Sequence, residues 1–159
     1  MRNVIEAALA TVAAFLVFSL LGRISTSLVL VLNVFSVLVV YYAVLRGEIF
    51  GAVLGSACGL IQDSFSLGVF GVGGLSKTVL GFLAGYISRK IHVVPFFRNL
   101  VFIFILGILE LAIWLALYSF IFSERPLVRN GLIFVQPAVT ALLGSLSLCL
   151  QRRIQSRKN

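Results

Sequence analysis

The chain alternates between long apolar runs and short breaks that carry charged or turn-forming residues. The breaks separate six apolar segments, at 4–21, 28–45, 49–61, 70–88, 100–122 and 131–150. An α-helix rises about 1.5 Å per residue, so a helix of roughly 20 residues crosses a hydrocarbon core about 30 Å thick. Every segment except the third approaches this length, given modest tilt or thinning of the bilayer. The pattern predicts a bundle of membrane-spanning helices.

The third segment, 49–61, is shorter than the others. As a helix, its 13 residues would extend only about 20 Å. We predict six crossings in a single all-α membrane domain covering residues 1–159. Five crossings with a re-entrant third segment is the alternative, because irregular or short elements are tolerated at membrane depth where protein or water covers them.

Composition supports a membrane protein. Of the 159 residues, 60% are hydrophobic and 11% are charged, and the mean hydropathy is +1.13. Soluble globular domains are about 45–50% apolar and about 25% charged. A chain with so few charges has too little polar surface for water, so we interpret it as an integral membrane protein.

The formal net charge of +8 fits a membrane topology. With six crossings and a cytoplasmic N-terminus, nine basic residues fall on the cytoplasmic side and three on the opposite side. The nine are Arg2, Arg46, Arg89, Lys90, Arg98, Arg152, Arg153, Arg157 and Lys158, and the three are Arg23, Arg125 and Arg129. This positive-inside bias predicts that both termini are cytoplasmic. It leaves no role for nucleic acid, since no soluble domain carries a basic patch.

The N-terminal segment has to be distinguished from a signal peptide. Arg2 followed by an apolar run is typical of one, but the run at 4–21 is long for such a segment. The residues after it, Gly22, Arg23 and Ile24, make a poor processing site. We therefore expect an uncleaved first span.

The sequence offers little for catalysis or metal binding. Cys58, Cys149 and the single histidine, His92, have no ligand partners at metal-site spacing. A nucleophile elbow, a zinc-protease motif and a phosphate-binding loop are all missing. We predict that the protein is not an enzyme and has no cofactor.

Glycines follow helical spacing in the centre of the chain. Gly51, Gly55 and Gly59 recur every four residues and Asp63 continues the row. The next segment repeats the spacing with Gly73, Lys77, Gly81 and Gly85. Residues four apart share one helix face, and small residues let membrane helices approach closely. These glycines are predicted to pack the two segments against each other, or to contact a partner helix.

Asp63, Lys77 and Glu110 are charged residues whose place in or beside the predicted spans needs an account. Thr78 adds a hydroxyl next to Lys77. Charge is expensive in hydrocarbon, so intramembrane ionisable residues generally pair with one another. Lys77 is within reach of Asp63 in an antiparallel hairpin, and Glu110 is an equally suitable partner at mid-membrane depth. Proton or substrate handling by Glu110 is a further alternative.

The run GAVLGSACGLIQDSFSLGVFGVGGLSKTVLGFLAGY, residues 51–86, resembles the core of the rod shape-determining protein MreD family. That family has a glycine-spaced helix ending in Gly-Leu-x-x-Asp, a loop with Leu-Gly, then Leu-x-Lys-Thr and Gly-Tyr. The run covers about a quarter of the chain. The matching positions are Gly59, Leu60, Asp63, Leu67, Gly68, Leu75, Lys77, Thr78, Gly81, Gly85 and Tyr86.

The resemblance implies a non-enzymatic scaffold in the bacterial inner membrane that helps maintain cell shape. Its implied direct partner is MreC. MreB, a SEDS glycosyltransferase and a class B penicillin-binding protein are implied indirect partners. The family is also similar to the substrate-binding S-components of energy-coupling-factor transporters, so a vitamin-binding subunit is the alternative function. A small proton-coupled exporter using Glu110 is a third hypothesis.

Overall fold

A computed structural model describes residues 2–25, 31–65, 70–90, 96–121 and 134–156. These residues form six helices and, within those ranges, no strand. The predicted all-α class is confirmed. The helices are α1 (Arg2–Ile24), α2 (Val34–Arg46), α3 (Glu48–Phe65), α4 (Val72–Lys90), α5 (Phe96–Ile121) and α6 (Gln136–Ser156).

Two stretches, Ile5–Ile24 in α1 and Phe97–Ile121 in α5, are long and apolar enough to cross a membrane. Several helix bounds differ from the apolar segments that predicted them: α6, for example, ends at Ser156 where its segment ends at 150. α3 continues past residue 61 through Gln62 and Asp63 and has 18 residues, which makes it about 27 Å long. α2 has 13 residues and begins only after Asn33, inside the predicted segment 28–45. Residues 28–30 of that segment lie outside the described part of the chain.

Helices α3 and α4 form an antiparallel hairpin with the most extensive contact in the fold, and α2 packs against both. α5 contacts α4 and α6, whereas α1 lies at the edge against α2. The apolar core runs between these helices, with Phe35, Val39, Cys58, Leu80 and Ile103 among its fully buried side chains. Most of α1 faces outward, and only 11% of the residues in its most apolar stretch, within Ile5–Ile24, are buried.

Polar side chains are buried in this bundle while large apolar side chains cover its outside. Lys77 and Glu110 are 3% and 7% exposed, whereas Ile49 and Phe97 are each 75% exposed. Other buried polar residues are Asn33, Ser36, Ser76, Asn99, Thr140 and Ser145. This arrangement reverses the usual one, in which Lys and Glu are almost never fully buried.

The glycines of α3 and α4 face one another. A Cβ atom added at Gly51 would strike the carbonyl of Gly81, and one added at Gly81 would strike the carbonyl of Gly51. At Gly55 the obstacle is the carbonyl of Lys77. The remaining pairs follow the same pattern, with Gly59 against Gly73 and Gly85 against Gly47 and Glu48. The two backbones therefore touch along the whole hairpin, and packing within the chain, not contact with a partner, uses this glycine face.

Replacement of Gly55 by leucine should prevent this approach, because the obstacle is backbone and cannot rotate away. We expect Gly55→Leu to lose about 3 kcal/mol of stability or more, the upper end for overpacked sites. Ala57→Leu is the matched control, since Ala57 lies on the exposed face of the same helix. Thermal unfolding in detergent should show a large loss for Gly55→Leu and little change for Ala57→Leu. Equal stability of the two variants would contradict the close-packed hairpin.

Candidate functional site

The most unusual feature of the interior is a buried ion pair between α4 and α5. Glu110 is the fifteenth of the 26 residues of α5, near the middle of the helix. Lys77 of α4 donates a hydrogen bond from Nζ to Glu110 Oε1 over 2.7 Å. The side chains are 3% and 8% exposed, so water screens the interaction poorly.

Helix α2 supplies two further donors to the same carboxylate oxygen. Ser36 Oγ donates to Glu110 Oε1 over 2.7 Å, and Asn33 Nδ2 donates to it over 3.4 Å. Asn33 also caps α2, because its Oδ1 accepts from the backbone N–H of Ser36 at 3.2 Å. Three donors from two helices therefore converge on one oxygen of the third, and α2, α4 and α5 are joined at a single point.

The Glu110 carboxylate lies between the Lys77 ammonium group and the start of α2. Lys77 supplies a full positive charge, and the N-terminus of α2 adds the partial positive charge of a helix end. Hydrogen bonds to a charged group are roughly twice as strong as bonds between neutral groups. The charges of Lys77 and Glu110 oppose each other, and the three hydrogen bonds described above reach the same oxygen, Oε1. This arrangement is suited to holding helices together.

Asp63 lies in a different place. Its Oδ2 accepts hydrogen bonds from the backbone N–H groups of Gly71 and Gly74, at 2.9 and 3.1 Å. These N–H groups lie at the start of α4, where a helix leaves its first donors without partners. Asp63, at the end of α3, therefore caps the next helix. Of the two partners considered for Lys77, Glu110 forms the ion pair.

Thr78 is not part of the ionic cluster. Its Oγ1 donates to the carbonyl of Gly74 within the same helix, at 2.7 Å. Ser76 similarly donates to the carbonyl of Gly73 at 3.1 Å. Both hydroxyls are satisfied by their own helix, so neither is available to the carboxylate.

Asn33 and Ser36 were not identified from the sequence. They are polar residues within the apolar segment 28–45, and Asn is a preferred residue at helix N-termini. That combination indicates a helix start inside the segment. It does not show that the helix start faces Glu110, which is 74 residues beyond Ser36.

Within the described ranges, no group of three or more His, Cys, Asp or Glu side chains is arranged to hold a metal ion. Cys58 is buried, with its Sγ 4.0 Å from Thr11 Oγ1, and Cys149 is exposed. His92 lies outside the described residues, as do Leu67 and Gly68 of the MreD-like run.

Comparison with models of protein families, with curated proteins and with solved structures finds no match.

Removal of either partner of the ion pair should leave an uncompensated buried charge. We expect Lys77→Met alone and Glu110→Gln alone each to lose about 3–5 kcal/mol of stability. The double variant should lose much less than the sum, because the glutamine oxygen still accepts from Ser36 and no charge remains. Denaturant unfolding of the wild type, the two single variants and the double variant gives the coupling free energy between Lys77 and Glu110.

The matched control is the pair between Arg46 Nη2 and Glu6 Oε2, which are 3.6 Å apart with side chains 30% and 50% exposed. Its coupling should be below about 1 kcal/mol, as for most exposed pairs. A Lys77–Glu110 coupling no larger than that of the control would contradict the assignment.

Loss of the Asp63 cap should destabilise the start of α4. We expect Asp63→Ala to lose about 1–2 kcal/mol, the usual range for removing a capping side chain. Asp63→Asn should lose less, since an amide oxygen still accepts from Gly71 and Gly74. Hydrogen exchange at the start of α4 measures the effect directly. Equal protection in all three proteins would rule out a capping role.

Proposed function

We propose that the chain is a multi-pass protein of the bacterial cytoplasmic membrane and a non-enzymatic scaffold of the cell-elongation complex. Its membrane helices would bind MreC and, through MreC, connect to MreB and to the peptidoglycan-synthesising SEDS glycosyltransferase and penicillin-binding protein. The MreD-like run at residues 51–86 suggests the complex. The geometry of the interior supports a structural role.

The outer surface supports the membrane location. Soluble monomers rarely expose contiguous apolar patches larger than a few hundred square ångströms. Here large apolar side chains are exposed on several helices, including Leu9 at 65%, Val53 at 66% and Phe120 at 91%. Two helices are also long and apolar enough to span a bilayer. Lipid is the solvent that would cover such a surface.

The observation that carries the scaffold proposal is the use of every functional candidate inside the fold. Lys77 and Glu110 satisfy each other, Asp63 caps α4, and the glycines hold α3 against α4. These contacts hold helices together, which suits a rigid body that positions partners.

The same observation limits where a partner helix can bind. Because the glycine faces of α3 and α4 are in mutual contact, MreC would have to pack on an outer face of the bundle. The outer face of α4 carries Leu75, Val79, Phe82 and Tyr86, with the last two rings stacked at 6.1 Å. The glycines would then act indirectly, by making the outer surface rigid.

Affinity purification from the native membranes of a rod-shaped bacterium carrying the chain tests the proposal. Tagged protein should co-purify with MreC, and cells that lose the gene should become round. The Ala57→Leu variant should still co-purify with MreC and support rod-shaped cells. The destabilised Gly55→Leu variant should do neither.

Recovery of an ATPase module and its coupling subunit in place of MreC would overturn the scaffold proposal and support the S-component alternative. A rise in thermal stability with one member of a vitamin panel would independently support that alternative.

A further inference from the structure

An apolar groove of about 460 Å³ lies between α1, α2 and α6. Its floor is one face of α2 from residue 34 to residue 42, including Tyr41 and Tyr42. Ala10 of α1 forms one wall, and Ser147 and Leu150 of α6 form the other. Asp63, Lys77 and Glu110 do not line this groove, so it is separate from the buried ion pair.

The length of the groove indicates what fits in it. Residues 34–42 of a helix extend about 12 Å, whereas a spanning helix would need a groove of about 30 Å. Half of the hydrocarbon core is about 15 Å thick. The groove therefore matches one leaflet of a bilayer, which is the depth reached by a lipid acyl chain.

Charged residues follow at one end of the groove. Arg46 lies four residues after Tyr42, Glu6 lies four residues before Ala10, and Arg153 lies three residues after Leu150. Residues three or four apart share a helix face, so all three helices place a charge beyond the same end. Two of these charges are positive and one is negative. The Arg46–Glu6 contact is long and accessible, at 3.6 Å with side chains 30% and 50% exposed.

We propose that this groove binds one acyl chain of an anionic phospholipid of the cytoplasmic leaflet, with the phosphate at Arg46 and Arg153. Basic pockets between membrane helices on the cytoplasmic side suit anionic headgroups. Tyrosine rings favour the boundary between headgroup and hydrocarbon, and Tyr41 and Tyr42 meet edge to face at this end, 5.3 Å apart. The inference rests on the membrane location and orientation in the proposed function and not on the elongation complex.

Native mass spectrometry of the full chain, purified in detergent with equal phosphatidylglycerol and phosphatidylcholine, tests this binding. The wild-type protein should retain phosphatidylglycerol selectively. Ala10→Phe places a ring in the groove and should abolish retention. Ala8→Phe is the control, because Ala8 is exposed and lies about 200° around the same helix.

Two further variants change the basic residues at the end of the groove and leave its apolar lining intact. Arg46→Gln and Arg153→Gln should each lower the affinity for phosphatidylglycerol about fivefold, the contribution of one basic residue near an anionic surface. Phosphatidylcholine retention should not change. Circular dichroism and gel filtration check that each variant is folded, and the arginine variants test the site even if Ala10→Phe fails to fold.

Equal retention of the two lipids by wild-type protein would overturn the proposal, as would selectivity that survives both arginine substitutions. Loss of MreC from Ala10→Phe with unchanged lipid retention would make the groove a protein contact and would also overturn it. The proposed function fails separately, if the wild-type chain is missing from the membrane fraction or co-purifies without MreC.

Discussion

Three helices of the fold meet at one oxygen atom, Oε1 of Glu110, because the donors that reach it come from α2 and α4 while the carboxylate belongs to α5. In lipid, apolar surface gives helices little reason to associate, so packing and polar contacts must do so. A single buried carboxylate would be too expensive to keep ionised. Lys77 offsets part of that cost, and the pair disfavours any arrangement of the three helices that separates its two charges.

The ion pair lies beside the close contact of α3 and α4. Gly55 lies directly against the carbonyl of Lys77, so the residue that supplies the ammonium group also forms part of the glycine contact. Asp63 fixes where α4 begins, through Gly71 and Gly74. The start of a helix determines which face each later residue occupies. The cap therefore helps to set the direction of Lys77, and Gly55 holds the Lys77 backbone against α3.

Periodicity was sufficient to predict the helical class, the glycine faces and the need for Lys77 to have an acidic partner. Periodicity could not show whether Asp63 or Glu110 is the partner of Lys77. Either residue is far enough along the chain from Lys77 to fold back into contact with it. That choice depends on the order of helices around the bundle, which one sequence does not display. The end of α3 was predicted too early because Gln62 and Asp63 are polar, although a helix that leaves an apolar layer continues on its own backbone hydrogen bonds.

The separation between the buried polar contacts and the apolar exterior has a consequence for recognition. The hairpin contact leaves no room for added atoms, since a methyl group at most hairpin glycines would meet backbone. The exterior is free of that constraint, and side chains such as Leu75 and Phe82 can change without disturbing the ion pair. Outer residues can therefore vary while the interior holds its shape. A rigid core of this kind would let one face bind the proposed lipid while another face contacts the proposed partner.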